Sequence, residues 1–406
     1  MTDDQVPSAT MEPSPPNEPA PGMMSRVTGM GESLRRALTL PVLALVLTLL
    51  VGAVIIMVTD VDAWRQMSEN PGAAIGAMFE GVWVAYRELF LGAFGSVRAI
   101  SETLYTATPL TLAGLAVAVG FRTGLFNIGA RGQIFIGGLF ALWVGLHVEL
   151  PALLHIPLAV LAAIVGGGLW GGIAGLLKAR TGAHEVITTI MLNFVAAFFT
   201  LWVLKTSVFQ EEGSTIPKSA PILESARLPT LFGQQYRVNI GLLIAIAAVF
   251  FVYWLLFKST IGFEFRAAGY SPSASLYAGM NVAVLYTAVM FISGALAGLA
   301  GATQTLGLPP YTVTDNFPGT IGFDAITLAL LGRSHPFGVL WSGLLFGALI
   351  AGGRVMQAAA GVTVDLVVVM QALIVVFIAA PELVRAVFRV KPTESGPTQL
   401  TQGWGA

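Results

Sequence analysis

Charge and cysteine are what this sequence of 406 residues lacks most. Only 11% of its residues are charged, against about 25% in ordinary soluble domains, while 55% are hydrophobic. So little polar surface cannot cover a water-soluble globule, and much of the chain must therefore face lipid. The absence of cysteine excludes disulfides, thiolate catalysis and Cys-ligated zinc. The net charge of −1 excludes a generally basic nucleic-acid-binding protein.

The sequence also lacks the motifs of several enzyme classes. It contains no G-x-x-x-x-G-K-[ST] motif, so it cannot hydrolyse ATP through a P-loop of its own. There is no recognisable catalytic triad and no H-E-x-x-H motif, and the four histidines do not pair at helical spacing. We therefore predict that this chain is not an enzyme and carries neither a metal site nor a cofactor.

Ten hydrophobic spans predict an all-α polytopic membrane protein. A helix that crosses the hydrocarbon core needs about 20 apolar residues. Spans near this length lie at 37–58, 100–120, 132–149, 153–177, 186–206, 239–257, 282–304, 318–332, 337–353 and 363–380. The eighth is short and rich in glycine, so it is either a full crossing or a half-length helix. Together the spans predict one transmembrane domain over residues 37–390.

The two ends of the chain are predicted to be cytoplasmic tails, at 1–36 and 391–406. The first 24 residues hold six prolines and four acidic residues, a composition that predicts disorder. With the N-terminus inside, thirteen Lys and Arg residues lie on the cytoplasmic side and eight lie outside, in agreement with the positive-inside rule. An even number of crossings then places both termini in the cytoplasm.

Two long segments, 59–99 and 207–238, are external in this orientation. In the first, Asn70 and Pro71 suit the cap and the first position of a helix. We expect that helix to lie on the outer leaflet or to pack against the bundle. The second segment is rich in charge and contains three prolines, so it is either a docking or lid segment or a solvated connector.

The cytoplasmic loop 258–281 predicts a short helix that is bounded at both ends. Ser271 is a good N-cap, Pro272 suits the first helical position, and Gly279 suits the residue beyond the helix end. A short, well-capped helix is suited to rigid contact with a cytoplasmic partner. It is equally compatible with a connector between two spans.

Glycine-rich polar segments occur in both halves of the chain. Residues 121–138 contain five glycines together with Asn127, Arg131 and Gln133, and a fainter echo surrounds Asp324. Irregular backbone at membrane depth occurs only where protein buries it or where it lines a wet cavity. Such paired segments predict two pseudo-repeated halves and a transport pathway, although small residues also serve simply to pack helices.

Four polar side chains within apolar surroundings are candidate pathway residues: Asn127, Gln133, Asn193 and Asp324. A charge inside an apolar stretch is costly, so Asp324 is a functional candidate, or else it caps the helix that follows. The three amides either contact solute or form hydrogen bonds to a neighbouring helix.

Four segments stand in an order that resembles a known permease family. They are NIGARGQ at 127–133, EVITTIMLN at 185–193, RAAGYSPSASLYAG at 266–279 and GFDAITLALLG at 322–332. They resemble the permease subunits of bacterial ABC importers of the branched-chain amino acid and ribose type, and within that group the permeases of nucleoside importers. The resemblance covers about residues 37–390. Arg131 departs from it, because family members often carry an acidic residue there.

The resemblance implies a function and a set of partners. The chain would be a permease subunit in the bacterial cytoplasmic membrane that translocates a nucleoside, or a simple sugar. Its partners would be a cytoplasmic ATP-binding subunit, a second permease subunit that is often a different chain in this family, and an extracytoplasmic solute-binding protein or lipoprotein. The loop 258–281 would couple the permease to the ATPase through Phe265, Arg266, Ser271, Pro272, Tyr277 and Gly279.

The residues alone leave a second function open, that of an ion-coupled secondary transporter of a small polar solute. Such a transporter needs no partner and responds to a proton or sodium gradient. The scarcity of buried acidic residues argues against it, and Asp324 is the residue that keeps it open.

Overall fold

The structure is a computed structural model that describes residues 23–233, 235–363 and 365–389. Over those residues the chain forms fifteen α-helices and a 3-10 turn at Glu224–Ala226, with isolated bridges in place of any β-strand. The helices are α1 Met23–Thr59, α2 Val61–Gln66, α3 Pro71–Phe94, α4 Val97–Arg122, α5 Ala130–His147, α6 Ala152–Thr181, α7 Glu185–Val203, α8 Gly241–Lys258, α9 Thr260–Tyr270, α10 Pro272–Tyr277, α11 Val282–Gly307, α12 Ile321–Leu331, α13 Pro336–Ala360, α14 Asp365–Ala379 and α15 Pro381–Phe388. The prediction of an all-α protein is confirmed.

Seven of the described helices are long and apolar enough to cross a membrane. They are α1 (over Pro41–Thr59), α4, α6, α7, α8, α11 and α13. The other three predicted spans correspond to α5, which begins with polar residues, and to α12 and α14, which have 11 and 15 residues. At 1.5 Å per residue α12 is about 16 Å long, roughly half the thickness of the hydrocarbon core. The span 318–332 is therefore a half-length helix in a multi-pass membrane protein.

The centre of the bundle is a close crossing of α6 and α11. Glycines at a spacing of four face each other there, Gly167 and Gly171 on α6 and Gly294 and Gly298 on α11. A Cβ atom on Gly298 would meet the carbonyl oxygen of Ala163, so no larger residue fits without separating the helices. Small residues at this spacing allow two backbones to touch, which is how helices associate where lipid supplies no hydrophobic driving force.

The two halves of the chain pack in the same crosswise pattern. The helices α4, α5 and α6 of the first half correspond in order to α11, α12 and α13 of the second. Helix α6 packs along α11 and α13 packs along α4, while α5 packs on α11 and α12 packs on α4. Helices α4 and α11 contact each other between these pairs. This exchange of partners agrees with the predicted pair of related halves.

The first segment predicted to be external contains α3, which begins at Pro71 with Asn70 as its cap, as predicted. Helix α3 packs against α13 and α1, and the Tyr86 hydroxyl donates a hydrogen bond to the carbonyl oxygen of Leu49 at 2.5 Å. Of the two expected positions for this helix, the structure therefore has the one against the bundle.

The second segment predicted to be external, 207–238, lies across the ends of α5 and α11. The backbone N–H of Leu223 donates to Gly145 at the end of α5, and that of Leu228 donates to Leu306 at the end of α11, both at 2.9 Å. The segment is therefore bonded to this end of the bundle, and its role as a docking or lid segment stays a prediction.

Two features of the segments predicted to be cytoplasmic differ from the sequence prediction. Residues 23–36 were expected to be disordered but form the first turns of α1. All six prolines of the tail precede Met23, and a helix that is already nucleated extends at little further cost. The loop 258–281 contains α9 in addition to the expected α10, and the Ser259 hydroxyl caps α9 by accepting from the N–H of Gly262 at 2.9 Å. Residues 1–22 and the predicted tail 391–406 lie outside the described residues.

Candidate functional site

The chain between α4 and α5 turns back into the bundle before α5 begins. Helix α4 ends at Arg122, and Gly124 adopts φ +70°, which permits a tight reversal. The N–H of Leu125 then donates to the carbonyl oxygen of Gly120 at 2.9 Å, so the chain runs back alongside the last turn of α4. We call residues 125–129 the re-entrant segment.

Asn127 fixes the depth of the re-entrant segment. Its Nδ2 donates to Ser293 Oγ at 2.6 Å, and Ser293 in turn donates to the carbonyl oxygen of Ala116 at 2.6 Å. Ser293 lies close to the middle of α11. Asn127 and the start of α5 are therefore held at mid-depth of the bundle, not at its surface.

The remaining groups of Asn127 are also bonded within the protein. It forms a reciprocal amide pair with Gln133, at 2.8 and 3.1 Å, and its Oδ1 accepts from the N–H of Gly129 at 2.9 Å. Asn127 is 0% exposed and Gln133 is 1% exposed. These two predicted pathway residues thus hold the irregular backbone, and their contact with solute stays a prediction.

Asn193 ties α7 to the same backbone. Its Nδ2 donates to the carbonyl oxygen of Ile128 at 2.9 Å, and its Oδ1 accepts from the N–H of Gly132 at 2.8 Å. It is buried as well, so the structure brings Asn127, Gln133 and Asn193 together around one turn of chain. The role of Asn193 in contacting solute likewise stays a prediction.

A buried ion pair supports the other end of the re-entrant segment. Lys178 at the end of α6 donates to the Glu185 carboxylate at 2.6 Å, and Glu185 also accepts from the N–H of Phe126 at 3.5 Å. Lys178 lies over the ring of Tyr286 on α11 as well. Nothing in the sequence predicts this pairing beyond the position of Glu185 at a helix start.

The half-length helix α12 begins where α5 begins. A Cβ atom on Gly322 would meet the Cα and Cβ atoms of Arg131, so the first turns of the two helices touch. Asp324, the fourth predicted pathway residue, lies in the first turn of α12, where its Oδ2 accepts from the Thr320 hydroxyl at 2.7 Å. Two helix N-termini, each with a partial positive charge, therefore meet at mid-depth.

Polar side chains surround this meeting point and reach the surface of the chain. Thr320 is exposed, Arg131 and Asp324 are half-buried, and the Phe323 ring is 46% exposed between them. We call these four residues the mid-depth face. Sequence reasoning identified Asp324 but missed Thr320 and Phe323, and it noted Arg131 only as a departure from the family pattern.

Helix α10 has the boundaries that the sequence predicts. The Ser271 hydroxyl accepts from the N–H of Ala274 at 3.3 Å, and Pro272 occupies the first helical position. Gly279 adopts φ +82°, and the N–H groups of Gly279 and Met280 bond back to Leu276 and Ser275, both at 3.0 Å, in a Schellman motif. Tyr277 is 95% exposed, so this short rigid helix is presented to its surroundings.

Phe265 is buried in the bundle and Arg266 is half-buried against it. Phe265 is 1% exposed within the core, and Arg266 donates to the carbonyl oxygen of Gly262 and lies over the ring of Phe257. Both residues anchor α9. Their predicted role in coupling stays a prediction. From these positions they could contribute to coupling by anchoring α9.

Helix α9 touches the turn that leads into the re-entrant segment. A Cβ atom on Gly269 would meet the backbone of Thr123, and one on Gly124 would meet the backbone of Gly269. The backbone preceding α10 thus lies directly against the backbone that positions α5.

Arg122, at the end of α4, holds the end of the half-length helix α12. It donates to the carbonyl oxygens of Arg333 and Ser334, which follow α12, at 3.1 Å each, and it lies over the ring of Phe257. Burial, and then the nearby Arg122 cation, lower the pKa of His335 below its usual range. His335 is therefore a neutral ring at pH 7, and it lies tilted against the ring of Phe257 with 5.4 Å between the ring centroids.

Removing the Asn127 side chain should destabilise the fold. Asn127→Ala leaves the amide of Gln133 and the N–H of Gly129 unpaired in the core, at a cost of about 3 kcal/mol. The matched control is Asn281→Ala, which removes a single cap bond to Val284 and should cost about 1 kcal/mol. Thermal unfolding of the two variants in detergent measures the difference, and equal shifts in melting temperature would contradict the role of Asn127.

Comparisons with known proteins identify the family of the chain. The family model of the branched-chain amino acid transport system permease component matches residues 99–379. The chain is 38% identical over 354 residues to the guanosine ABC transporter permease protein NupP of Bacillus subtilis, covering 86% of this chain and 95% of that protein. It is 36% identical over 352 residues to the nucleoside ABC transporter permease protein NupB of Lactococcus lactis, covering 85% and 91%.

A third relative carries a different solute in its name. The chain is 36% identical over 351 residues to the glucose ABC transporter permease protein TsgB13 of Haloferax volcanii, covering 84% of this chain and 87% of that protein. No solved structure matches the chain significantly. Since the family model covers more than half of the residues, the chain belongs to the family of branched-chain amino acid transport system permease components.

Proposed function

We propose that the chain is the membrane-spanning permease subunit of an ATP-binding-cassette importer and that it translocates a nucleoside. Two of the similar proteins are named as permeases for guanosine or nucleosides, and a third is named for glucose, so a simple sugar is the second candidate. Membership of a permease family also favours this function over that of an ion-coupled secondary transporter.

The mid-depth face is the observation that carries the proposal. Charged side chains at this depth do not face hydrocarbon but line a protein or water-filled interior. Arg131 and Asp324 nevertheless reach the surface of the single chain. A second permease subunit that covers this face would bury both charges and enclose a pathway between the two chains, as in transporters whose half-length helices meet at the solute site.

The energy for transport comes from a separate subunit in this proposal. The chain has no P-loop, so a cytoplasmic ATP-binding subunit must do the work. Helix α10 is the docking element, with Leu276 60% exposed and Tyr277 95% exposed. A displacement of α10 would be transmitted through Gly269 to the re-entrant segment and would change the contacts around α5. Contacts that differ between two conformations are what allows the ATPase to drive the chain from one to the other.

The orientation follows from the same assignment. Docking of α10 on an ATPase places the ends of α4, α6 and α8 that carry Arg122, Lys178 and Lys258 in the cytoplasm, together with both termini. The segment 207–238 then faces outward, where an extracytoplasmic solute-binding protein or lipoprotein would deliver the solute. The membrane would be the cytoplasmic membrane of a bacterium.

Gentle purification tests the assembly. When the full chain is recovered from native membranes through a C-terminal tag, mass spectrometry should identify a P-loop ATPase and a second hydrophobic permease with it. If the chain is recovered alone and still supports uptake driven by an ion gradient, the assignment to an ABC importer is wrong.

Coupling is tested by two valine substitutions with the same local strain. Gly279 and Gly182 both have positive φ, +82° and +71°, and open space where a Cβ would lie. An importer that carries Gly279→Val should lose most of its solute uptake while ATP hydrolysis continues, because the substitution disturbs the end of α10. Gly182→Val, at the end of α6, should keep uptake and hydrolysis linked.

The measurement is the number of solutes taken up for each ATP hydrolysed by the complete importer. The same ratio in both variants would show that the end of α10 plays no special part in coupling.

A further inference from the structure

Arg131 is a cation at mid-depth that has no ion-pair partner within the described part of the chain. Its Nε is buried without a hydrogen bond, and none of the ion pairs among the described residues includes it. A guanidinium offers five N–H donors and no acceptor. Because an unpaired donor away from water is costly, a molecule that supplies acceptors at this point gains binding energy there.

Two aromatic rings determine how such a molecule can approach. The Arg131 Cζ atom lies 5.6 Å from the centre of the Phe135 ring and 5.4 Å from that of Phe323. Phe135 is 3% exposed and belongs to the core, whereas Phe323 is 46% exposed beside the guanidinium. A cation over an aromatic face keeps its N–H groups at its edges, available to a ligand. Phe323 then offers a flat surface on which an aromatic base can stack.

The chemistry of these groups favours one kind of base. Guanine and hypoxanthine present two acceptors, O6 and N7, side by side, and arginine binds this edge with two parallel hydrogen bonds. Adenine presents an amino donor at the equivalent position, which faces the donors of arginine unfavourably. The N-termini of α5 and α12, which meet at Arg131, add positive potential toward the same acceptors.

We propose that Arg131 makes the permease selective for 6-keto purine nucleosides over adenosine, with Phe323 as the stacking surface for the base. The inference rests on the proposed function and adds a selection step within the permease itself. Any selection by an external binding protein is the same for wild type and variant, so a change in preference on mutating Arg131 belongs to this chain.

The test compares uptake of radiolabelled guanosine, inosine, adenosine and glucose by cells that contain the complete importer. Wild type should take up guanosine and inosine in preference to adenosine. Arg131→Gln introduces an amide that matches the N6 and N7 groups of adenine, so the ratio of guanosine to adenosine uptake should fall by about tenfold. The matched control is Arg180→Gln, an exposed arginine at the end of α6, which should leave the ratio unchanged.

A second variant separates geometry from charge. Arg131→Lys keeps the positive charge but cannot form two parallel hydrogen bonds. It should lower guanosine uptake without raising adenosine uptake, at an equal amount of protein in the membrane. A residue with a merely structural role would lower the uptake of every solute by the same factor.

The outcomes separate this inference from the proposed function. Guanosine uptake with an unchanged ratio in Arg131→Gln, or undiminished guanosine uptake in Arg131→Lys, overturns the role of Arg131 and leaves the proposed function standing. Uptake of glucose alone by wild type overturns the inference and moves the proposed function to its second candidate. Uptake of none of the four solutes overturns both.

Discussion

The bond between Asn127 and Ser293 is the interaction on which the rest of the site depends. Backbone groups at membrane depth have no water to bond with, so an irregular segment survives there only if the protein satisfies it. Asn127, Gln133 and Asn193 do this for the re-entrant segment and join α5, α7 and α11 in doing so. Without these bonds the backbone groups of the re-entrant segment would be unpaired at membrane depth, and α5 could not begin inside the bundle.

The start of α5 at mid-depth explains the other features of the site. It brings Arg131 against Gly322 of α12, so that α5 and the half-length helix α12 present their N-termini at one point. Both helices are also tied to the face that carries α10, α5 through the contact of Gly124 with Gly269 and α12 through Arg122. A displacement of that face would therefore move the starts of both α5 and α12. Such coupled movement suits a transporter that must change solute access at mid-depth.

The parts predicted from sequence are those whose determinants are local. Helix α10 was predicted with its correct ends because Ser271, Pro272 and Gly279 act within a few residues. The hydrophobic spans are local features of the same kind. The prediction of disorder for residues 23–36 is wrong because it carries the composition of the preceding tail over to residues that form the start of α1. Asn127 was recognised as unusual, but its role depends on Ser293, which is 166 residues away, and no local signal reports that distance. Arg131 belongs to the site because Gly322 of α12 lies against it, and no local sequence pattern predicts that contact.

Thiol accessibility at Phe323 tests most directly whether the mid-depth face lines the solute pathway. The chain has no cysteine, so Phe323→Cys carries a single thiol, and Phe194→Cys on the exposed apolar face of α7 is its control. A membrane-impermeant methanethiosulfonate reagent reacts with the thiolate, which forms in contact with water and not in lipid. In the assembled importer the thiol at 323 should react, more slowly when guanosine is present, while the thiol at 194 should not react. A thiol at 323 that stays unreactive, or reacts at a rate that no transported solute changes, would contradict the assignment.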